Sequence, residues 1–465
     1  MEVCIIGGGP AGITTAYQLA KAGVSVDLFE ASNAIGGMSR SIELWGQKVD
    51  IGPHRFLSND SRINQLWFEM AGPDYDIVNR LTRIFYRGRL IYYPLTPLNV
   101  IANLGFFEVL RCLTSYGAAR LSPSKVGASS SFEQWMVNRF GRRLFEIFFK
   151  TYSEKLWGIV CSELDADFAA QRIQTFSLGE AVCAAFGIGK AKHKTLVDQF
   201  AYPHGGSGMV YERMAEQAKE NGAKIHLNTA VHCVVIENGK AVAVEFPNGK
   251  CRKYDHIVST MPMAHLVEQM EDAPAEVLGA VRQLTYRNTI IVFLRIPAKN
   301  LFPDNWIYVH NADLRMGRIT NFRNWTPHLY GTSEESVLAL EYWCSNYEQL
   351  WTMNDEKLID IAKDEISRSK LLPPGQPITG GHVVRIGCSY PVYRRGYKKH
   401  LSVVKEFLQT VKNLSPIGRG GLFKYNNQDH SILMGILAAE NILKETGHDL
   451  WKINTDFSPA KESTY

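Results

Sequence analysis

Apolar runs and a helical pattern alternate over the first thirty residues. Residues 3–6 form a short apolar run rich in β-branched side chains, which predicts a buried parallel strand. Apolar positions then recur at helical spacing over residues 10–22, and Gly23 ends that pattern. A second apolar run follows and ends at Glu30. The chain is therefore predicted to begin with a strand–helix–strand unit.

The pattern then changes from strands to helices. Residues 84–94 alternate with period two around an Arg-Gly turn, which predicts a β-hairpin. From residue 97 to about 189, apolar residues recur at helical spacing, so we expect a helical insertion that covers the active site. Within it, Ser131 and Gln134 have the spacing of a capping box at a helix N-terminus.

Strand signals dominate after a further predicted helix at 209–221. Asn-Gly pairs at 238–239 and 248–249 separate alternating runs, which predicts a β-meander. Other alternating runs predict an antiparallel sheet, and they lie at 285–295, 306–310 and 333–344. Helical spacing returns at 355–369 and 432–443. The expected fold class is α/β, with a second, antiparallel sheet and a helical insertion.

Composition and charge exclude several classes of function. The 465 residues suffice for two or three domains, and 45% hydrophobic and 21% charged residues are ordinary for a soluble globular protein. A net charge of +5 suits an anionic small molecule in a cleft and is too small to indicate a nucleic acid partner. The eight cysteines form no Cys-x-x-Cys pair, so we expect free thiols and no metal site. Without an apolar run long enough to span a bilayer, or a signal peptide, we expect a cytoplasmic protein without stable membrane insertion.

The turn after the first strand carries glycines at G-x-G-x-x-G spacing. Gly7 permits a tight turn, Gly9 lets a pyrophosphate approach the backbone, and Gly12 lets the helix pack closely on the strand. The N-terminus of the following helix favours phosphate. Glu30 can accept hydrogen bonds from ribose hydroxyls and disfavours a 2′-phosphate, so NADP is not the expected ligand. The alternative is a glycine-rich turn that binds nothing.

A second glycine pair favours FAD over NAD. Gly36 and Gly37 allow another close backbone approach, and Arg40 supplies positive charge for a phosphate, unless it is a solvated surface arginine. This stretch resembles the extended signature of FAD enzymes related to the amine oxidases. The resemblance assigns FAD contacts to Gly7, Gly9, Pro10, Ala11, Gly12, Glu30, Gly37, Met38, Ser39 and Arg40.

A polar block at 418–431 precedes the last predicted helix, and a helix N-terminus favours an anion or a polarised carbonyl there. Its sequence, Gly-Arg…Tyr…Asn-Gln-Asp-His-Ser, resembles that of the UDP-galactopyranose mutases, and the eukaryotic type more closely than the bacterial one. Other stretches resemble the same family in order, at 52–54, 93–94, 157–172, 200–208, 318–321 and 390–391. The chain departs from the family at Pro53, which replaces a glycine and stiffens the loop, and in the helical insertion.

The resemblance implies a flavin-dependent sugar-nucleotide mutase. Such an enzyme interconverts pyranose and furanose forms of a nucleoside-diphosphate sugar, with N5 of reduced FAD as the nucleophile and NAD(P)H as a candidate external reductant. It also implies a Rossmann-type, GR2-like FAD-binding domain built from separate segments. The expected division is 1–96 and 191–280 for the first two parts of the FAD domain, 97–190 for the insertion, 281–385 for the substrate sheet, and 386–465 for the C-terminal part of the FAD domain.

The same resemblance assigns roles to individual side chains. Arg172 and Arg318 would clamp the diphosphate, Arg419 would lie between flavin and sugar, and His54 would contact the flavin near N5. Substrate contacts are also implied for Trp157, Tyr390 and Tyr425. Further flavin contacts are implied for the backbone of Val231 and for Gly418, Asn427, Gln428, Asp429 and Ser431. Each residue also has a structural alternative, such as a surface arginine, a turn-capping histidine or a core aromatic ring.

Two other functions remain open on the same scaffold. One is a net redox enzyme, such as an amine oxidase, a protoporphyrinogen-oxidase-like enzyme or a desaturase, and the other is a flavoprotein whose flavin is structural. Oxidases of this class need an apolar, often aromatic channel, whereas mutases need convergent arginines. The three arginines at motif-matched positions favour the mutase, and they are Arg172, Arg318 and Arg419.

Overall fold

The computed structural model describes residues 1–121, 130–167 and 199–454. Within these ranges, five short strands form a parallel sheet. In spatial order they are Leu414–Pro416, His256–Ser259, Glu2–Ile6, Ser25–Phe29 and Lys224–His226. The helix Pro10–Lys21 connects the third and fourth of these strands, which confirms the predicted strand–helix–strand unit and the α/β class.

Helices cover one face of this sheet and a meander covers the other. Pro10–Lys21 packs against Gly208–Glu220 and against the last long helix, Gln428–Lys444, where Thr15 Oγ1 donates to the carbonyl of Gly435 at 3.3 Å. The meander consists of the strands Cys233–Glu237, Lys240–Glu245 and Cys251–Lys253. Its first turn has Asn238 and Gly239 both at positive φ, which confirms the predicted Asn-Gly hairpin.

A larger sheet forms the second layer, and seven of its strands lie in the described ranges. In spatial order they are Gly380–Pro391, Tyr286–Ile296, Ser336–Cys344, Arg318–Asn321, Trp306–Val309, Thr82–Tyr86 and Arg89–Tyr92. All neighbours are antiparallel except Trp306–Val309 and Thr82–Tyr86, so the sheet is mixed. The predicted hairpin at 84–94 contributes two strands to this sheet. Residue 385, the expected end of the substrate sheet, lies within the strand Gly380–Pro391, and the domain division stays a prediction.

The insertion is helical in its described part. Its helices are Pro97–Leu104, Phe106–Leu121, Phe132–Phe140, Arg142–Phe145 and Thr151–Trp157, with a π-helical turn at Glu146–Lys150. The predicted capping box is present, because the N–H of Gln134 donates to Ser131 Oγ and the N–H of Ser131 donates to Gln134 Oε1, both at 3.1 Å. None of the helices described is both long and apolar enough to cross a bilayer.

The remaining elements connect or cover the two layers. The helix Asp355–Ser369 has the bounds that the sequence pattern predicted, and it packs on the larger sheet. It did not predict the helices Ser61–Ala71, Met263–Glu268, Ala275–Val281, Gln349–Thr352, Tyr397–Thr410 and Gly418–Gly421. Two small antiparallel pairs complete the description, Ser41–Leu44 with Gln47–Asp50 and Tyr75–Asn79 with Gln199–Pro203.

Candidate active site

A cavity of about 760 Å³ is lined by residues from both layers. One end is formed by the turn after the first strand and by the N-termini of the helices Pro10–Lys21 and Gln428–Lys444. The other end is formed by the larger sheet and the insertion. Most of the predicted flavin-contacting residues line it, namely Gly7, Gly9, Pro10, Ala11, Glu30, Gly37, Met38, Ser39, His54, Gly418, Arg419, Asn427, Gln428, Asp429 and Ser431.

Close backbone approaches shape the first end, which we call the cradle (Gly7–Ala11, Glu30 and Gly37–Ser39). A Cβ on Gly12 would lie 2.0 Å from the carbonyl oxygen of Gly7, so only glycine lets the helix start directly behind the turn. A Cβ on Gly37 would lie 2.9 Å from Cα of Gly9, where the second glycine pair meets the first. Glu30 Oε2 accepts a hydrogen bond from the N–H of Gly8 at 2.7 Å, which fixes the carboxylate beside the turn.

Two helix N-termini meet at the cradle. Gly9 precedes the first helix, and Asn427 caps the last one in a box with His430. Gln428 is held in place because its Oε1 accepts the hydroxyl proton of Tyr211 at 2.5 Å. Exposed N–H groups and dipoles of both helices therefore face one cavity, which favours a negatively charged or strongly polar ligand. The cradle, its acid and the paired N-termini fit the pyrophosphate, ribose and flavin ends of FAD.

Three predicted cofactor residues lie outside the lining. Gly12 is beneath the turn, as its packing role requires. Val231 is buried in the core between sheet and meander. Arg40 is half-buried, and its Nε makes no hydrogen bond within the described residues.

His54 lines the cavity after the Gly-Pro break, and its carbonyl accepts a hydrogen bond from Ser207 Oγ at 2.7 Å. Burial lowers the pKa of His54 to about 3, and the positive charges of Arg318 and Arg419 act in the same direction. The imidazole is therefore neutral at physiological pH, so it can offer a hydrogen bond to a ligand without a charge.

Arg419 connects the two ends of the cavity. The preceding residue, Gly418, packs against Ala11 in the cradle, while the guanidinium carbon lies 4.4 Å from the ring centroids of both Tyr390 and Tyr425. Nη1 of Arg419 donates to the carbonyl of Asn426 at 3.2 Å. Its Nε and Nη2 are buried and have no hydrogen-bond partner among the residues described. Two buried guanidinium donors beside stacked tyrosines form an anion-binding arrangement.

Arg318 also lines the cavity, but the sequence did not reveal its partner. Its Nε and Nη2 donate to the two carboxylate oxygens of Glu341 at 2.6 and 2.5 Å. Glu341 is buried and Arg318 is half-buried. The two residues face each other in adjacent strands. Glu341 therefore offsets the charge of Arg318 and occupies two of its donors. The role of Arg318 as a diphosphate clamp stays a prediction. One sequence signal could have indicated a buried ion pair: Glu341 is an acidic residue in the otherwise uncharged run that forms the buried strand Ser336–Cys344.

Aromatic side chains form the wall opposite the cradle, and the sequence did not predict them as site residues. Tyr152 stacks on His310 with ring centroids 5.1 Å apart and contacts Tyr308 edge-on at 5.4 Å. Burial lowers the pKa of His310 to about 3, assisted by the charge of Lys155. Phe132, Phe148 and Phe149 also line this end. No spacing within the insertion distinguishes these rings from core residues, because their position depends on contacts with the distant sheet.

Trp157 and Arg172 differ from the other predicted substrate contacts. Trp157 is only 1% exposed and packs edge-on behind Tyr390 and Tyr425, so it supports these rings and does not line the cavity. Its predicted contact with substrate stays a prediction. Arg172 lies outside the described residues.

Comparison with known proteins assigns the family. The model of the family "Flavin containing amine oxidoreductase" matches residues 10–385. Coproporphyrinogen III oxidase of Mycobacterium tuberculosis is 22% identical over 385 residues, which cover 78% of this chain and 81% of that protein. A Klebsiella pneumoniae protein named "Probable UDP-galactopyranose mutase" is 28% identical over 177 residues, or 36% of this chain and 43% of that protein.

The fold also matches a solved structure over nearly its whole length. A crystal structure of reduced UDP-galactopyranose mutase superposes with a TM-score of 0.85 at 22% identity, covering 96% of this chain and 94% of that one. At this identity the match shows the fold, which is the predicted FAD-binding architecture with a substrate domain. The chain belongs to the family of flavin containing amine oxidoreductases.

Proposed function

We propose that this protein is a flavin-dependent mutase that interconverts the pyranose and furanose forms of a nucleoside-diphosphate sugar. The observation that carries the proposal is Arg419, at the point where the cradle opens into the rest of the cavity. Two of its buried donors have no partner in the described ranges, and two tyrosines lie beside it. A diphosphate satisfies guanidinium and hydroxyl donors together, whereas a purely apolar substrate would leave them unpaired.

When bound and reduced, FAD would supply the nucleophile for this chemistry, with NAD(P)H as a candidate reductant. The residues of this chain bind and orient the cofactor and the substrate. The cradle and the two helix N-termini hold the dinucleotide. Arg419, Tyr390 and Tyr425 hold the diphosphate, and neutral His54 donates or accepts a hydrogen bond beside the flavin. The aromatic wall around Tyr152 excludes water from the sugar.

Arg318 has an indirect role in this proposal. Its pair with Glu341 orients the guanidinium at the cavity wall. We propose Arg172 as the second diphosphate ligand, on the basis of the resemblance alone. The fit of Arg419 does not depend on either residue.

A second candidate, a net FAD oxidoreductase, is favoured by one specific observation. The pairing of Arg318 with Glu341 removes one free cation from the cavity, and the opposite wall is aromatic, which suits an apolar ring or amine substrate. The name of the mycobacterial relative agrees with this candidate.

Turnover separates the two candidates. Anaerobic, dithionite-reduced protein is incubated with UDP-galactofuranose or UDP-galactopyranose, and the products are separated by chromatography. The mutase predicts interconversion only with reduced flavin and without net electron transfer. A parallel assay uses oxidised protein in air-saturated buffer. Steady hydrogen peroxide release there with an amine or a porphyrinogen, without sugar interconversion in the first assay, would establish the oxidoreductase instead.

A further inference from the structure

Three potential metal ligands converge away from the cavity. One ligand atom from each of Asp76, His204 and His328 lies within 4.8 Å of the other two. The Nε2 of His204 is 3.4 Å from Oδ1 of Asp76, and the two imidazole rings stack with centroids 3.6 Å apart. The three residues lie on the strand Tyr75–Asn79, directly after the strand Gln199–Pro203, and in the turn Pro327–Leu329. None of them lines the flavin cavity.

The backbone brings two of these ligands together. The two strands pair antiparallel, with Asp76 opposite Tyr202, and the N–H of His204 donates to the carbonyl of Asp74 at 2.9 Å. The positions of Asp76 and His204 are therefore set by strand pairing and do not depend on their side chains.

Thr326 positions the third ligand and orients the carboxylate. It caps the turn that carries His328, because Thr326 Oγ1 accepts a hydrogen bond from the N–H of His328 at 3.4 Å. The same hydroxyl donates to Oδ2 of Asp76 at 2.5 Å, which leaves Oδ1 facing His204. A hydrogen-bonded outer partner of this kind is typical of metal-binding carboxylates.

The charges suit a cation. Asp76 supplies a carboxylate to the cluster, and the Thr326 hydroxyl that donates to its Oδ2 fixes its orientation. Two imidazole nitrogens and one carboxylate oxygen are the donors that Zn²⁺ prefers, whereas Ca²⁺ and Mg²⁺ prefer oxygen alone.

We propose that Asp76, His204 and His328 form a site for a divalent transition metal of the Zn²⁺ class, with a fourth position open to water. Ligand atoms of a tetrahedral Zn²⁺ site lie about 3.4 Å apart, so the most distant atoms of the cluster must approach by about 1.4 Å. The two stacked rings must also turn out of parallel, because the imidazole lone pairs lie in the ring planes. The proposal is independent of the reaction that the flavin cavity performs.

The site would join the small antiparallel pair of strands, Tyr75–Asn79 and Gln199–Pro203, to a turn that follows the larger sheet. His328 extends from the larger sheet, and His204 begins the loop that leads to Ser207. Ser207 in turn donates to the carbonyl of His54 and, through its N–H, to Asp50. Metal binding would thus stabilise the loop that holds His54 against the cavity.

Metal titration of the full-length, FAD-loaded protein tests the site. After EDTA treatment and its removal, ZnCl₂ is added in a calorimeter, and we expect one Zn²⁺ per chain. His328→Ala and Asp76→Asn should each weaken Zn²⁺ binding at least 100-fold. Replacing only a residue that hydrogen-bonds a metal ligand already lowers metal affinity about 10- to 100-fold. Thr326→Val should weaken it about tenfold. His382→Ala is the matched control, because this exposed histidine lies elsewhere on the larger sheet.

Thermal unfolding gives a second readout. Zn²⁺ should raise the midpoint of the wild type and of His382→Ala, but not that of His328→Ala, because a ligand bound only by the native state stabilises it. His328 is exposed, so its replacement leaves the fold intact. The proposal is overturned if the wild type binds no Zn²⁺, if both ligand variants bind as tightly as the wild type, or if His382→Ala weakens binding equally.

Discussion

The two ends of the cavity are built by different means. The cradle is made mainly of backbone, in glycine turns within and just after the first strand–helix–strand unit. The N-terminus of the last long helix completes this end. The opposite end is made of side chains from distant segments, held by the buried pair Arg318–Glu341 and by stacked rings. A local motif therefore determines the cofactor, whereas the chemistry at the substrate end depends on long-range pairing. Variants at the cradle should therefore affect FAD binding, and variants at the opposite end should affect stability or substrate turnover.

The largest effect is expected from Glu341→Gln. This change leaves the buried guanidinium of Arg318 without its counter-charge, which costs about 3–5 kcal/mol of unfolding free energy. Urea unfolding of the FAD-loaded protein measures it. Asp364→Asn, at an exposed pair with Arg368, should cause no measurable change. Equal stability of Glu341→Gln and wild type would show that the pair does not hold this end together.

Gly12→Ala should damage the cradle. The new Cβ would lie 2.0 Å from the backbone oxygen of Gly7, so the helix must move away from the turn, at a cost of about 3 kcal/mol or up to about 100-fold in FAD affinity. Flavin absorbance after purification and reconstitution reports the loss. Gly279→Ala is the control, because its Cβ meets no atom and a helical alanine is favourable. Full FAD retention by Gly12→Ala would contradict the packing argument.

Arg419→Ala should weaken substrate binding at the point where the two ends of the cavity meet. Loss of charge-assisted hydrogen bonds to a diphosphate should lower kcat/KM for UDP-galactofuranose about 10- to 100-fold, with FAD content unchanged. The exposed Arg282→Ala is the control. A variant with wild-type kcat/KM would remove Arg419 from the proposed substrate site.

Acid should destabilise the protein through its buried neutral histidines. The pKa of His54 is about 3 in the folded state, against about 6.5 in the unfolded chain. The unfolded state therefore binds the proton first, and stability is lost as the pH falls below about 6.5, by roughly 1–2 kcal/mol between pH 7 and pH 5. Urea unfolding at both pH values measures this loss of unfolding free energy. The loss should be smaller in His54→Asn than in the wild type, and the exposed His382→Asn should lose as much as the wild type. An unchanged pH dependence in His54→Asn would mean that the imidazole is protonated in the native state.

The sequence predicted what short-range chemistry determines. The glycine spacing, Glu30, the Asn-Gly turn and the capping box of Ser131 all depend on neighbours within one or two elements, and the structure has these local features. The partner of Arg318 could not be read in this way. Glu341 is its neighbour only because two strands pair in one register.

Long-range packing also explains why the surroundings of other residues could not be predicted. Trp157 was predicted as a substrate contact from its motif, but its depth behind two tyrosines depends on the larger sheet. The cluster of Asp76, His204 and His328 has no motif spacing at all, because its members are more than a hundred residues apart in sequence.

The most direct measurement is a spectral titration of the FAD-loaded protein with UDP. Because Arg419 lies between the cradle and the tyrosine pair, a bound diphosphate should perturb the flavin. The predicted result is a saturable change in flavin absorption that Arg419→Ala weakens or abolishes. An unchanged spectrum at saturating UDP, together with a saturable change on adding an amine or a porphyrinogen, would contradict the account.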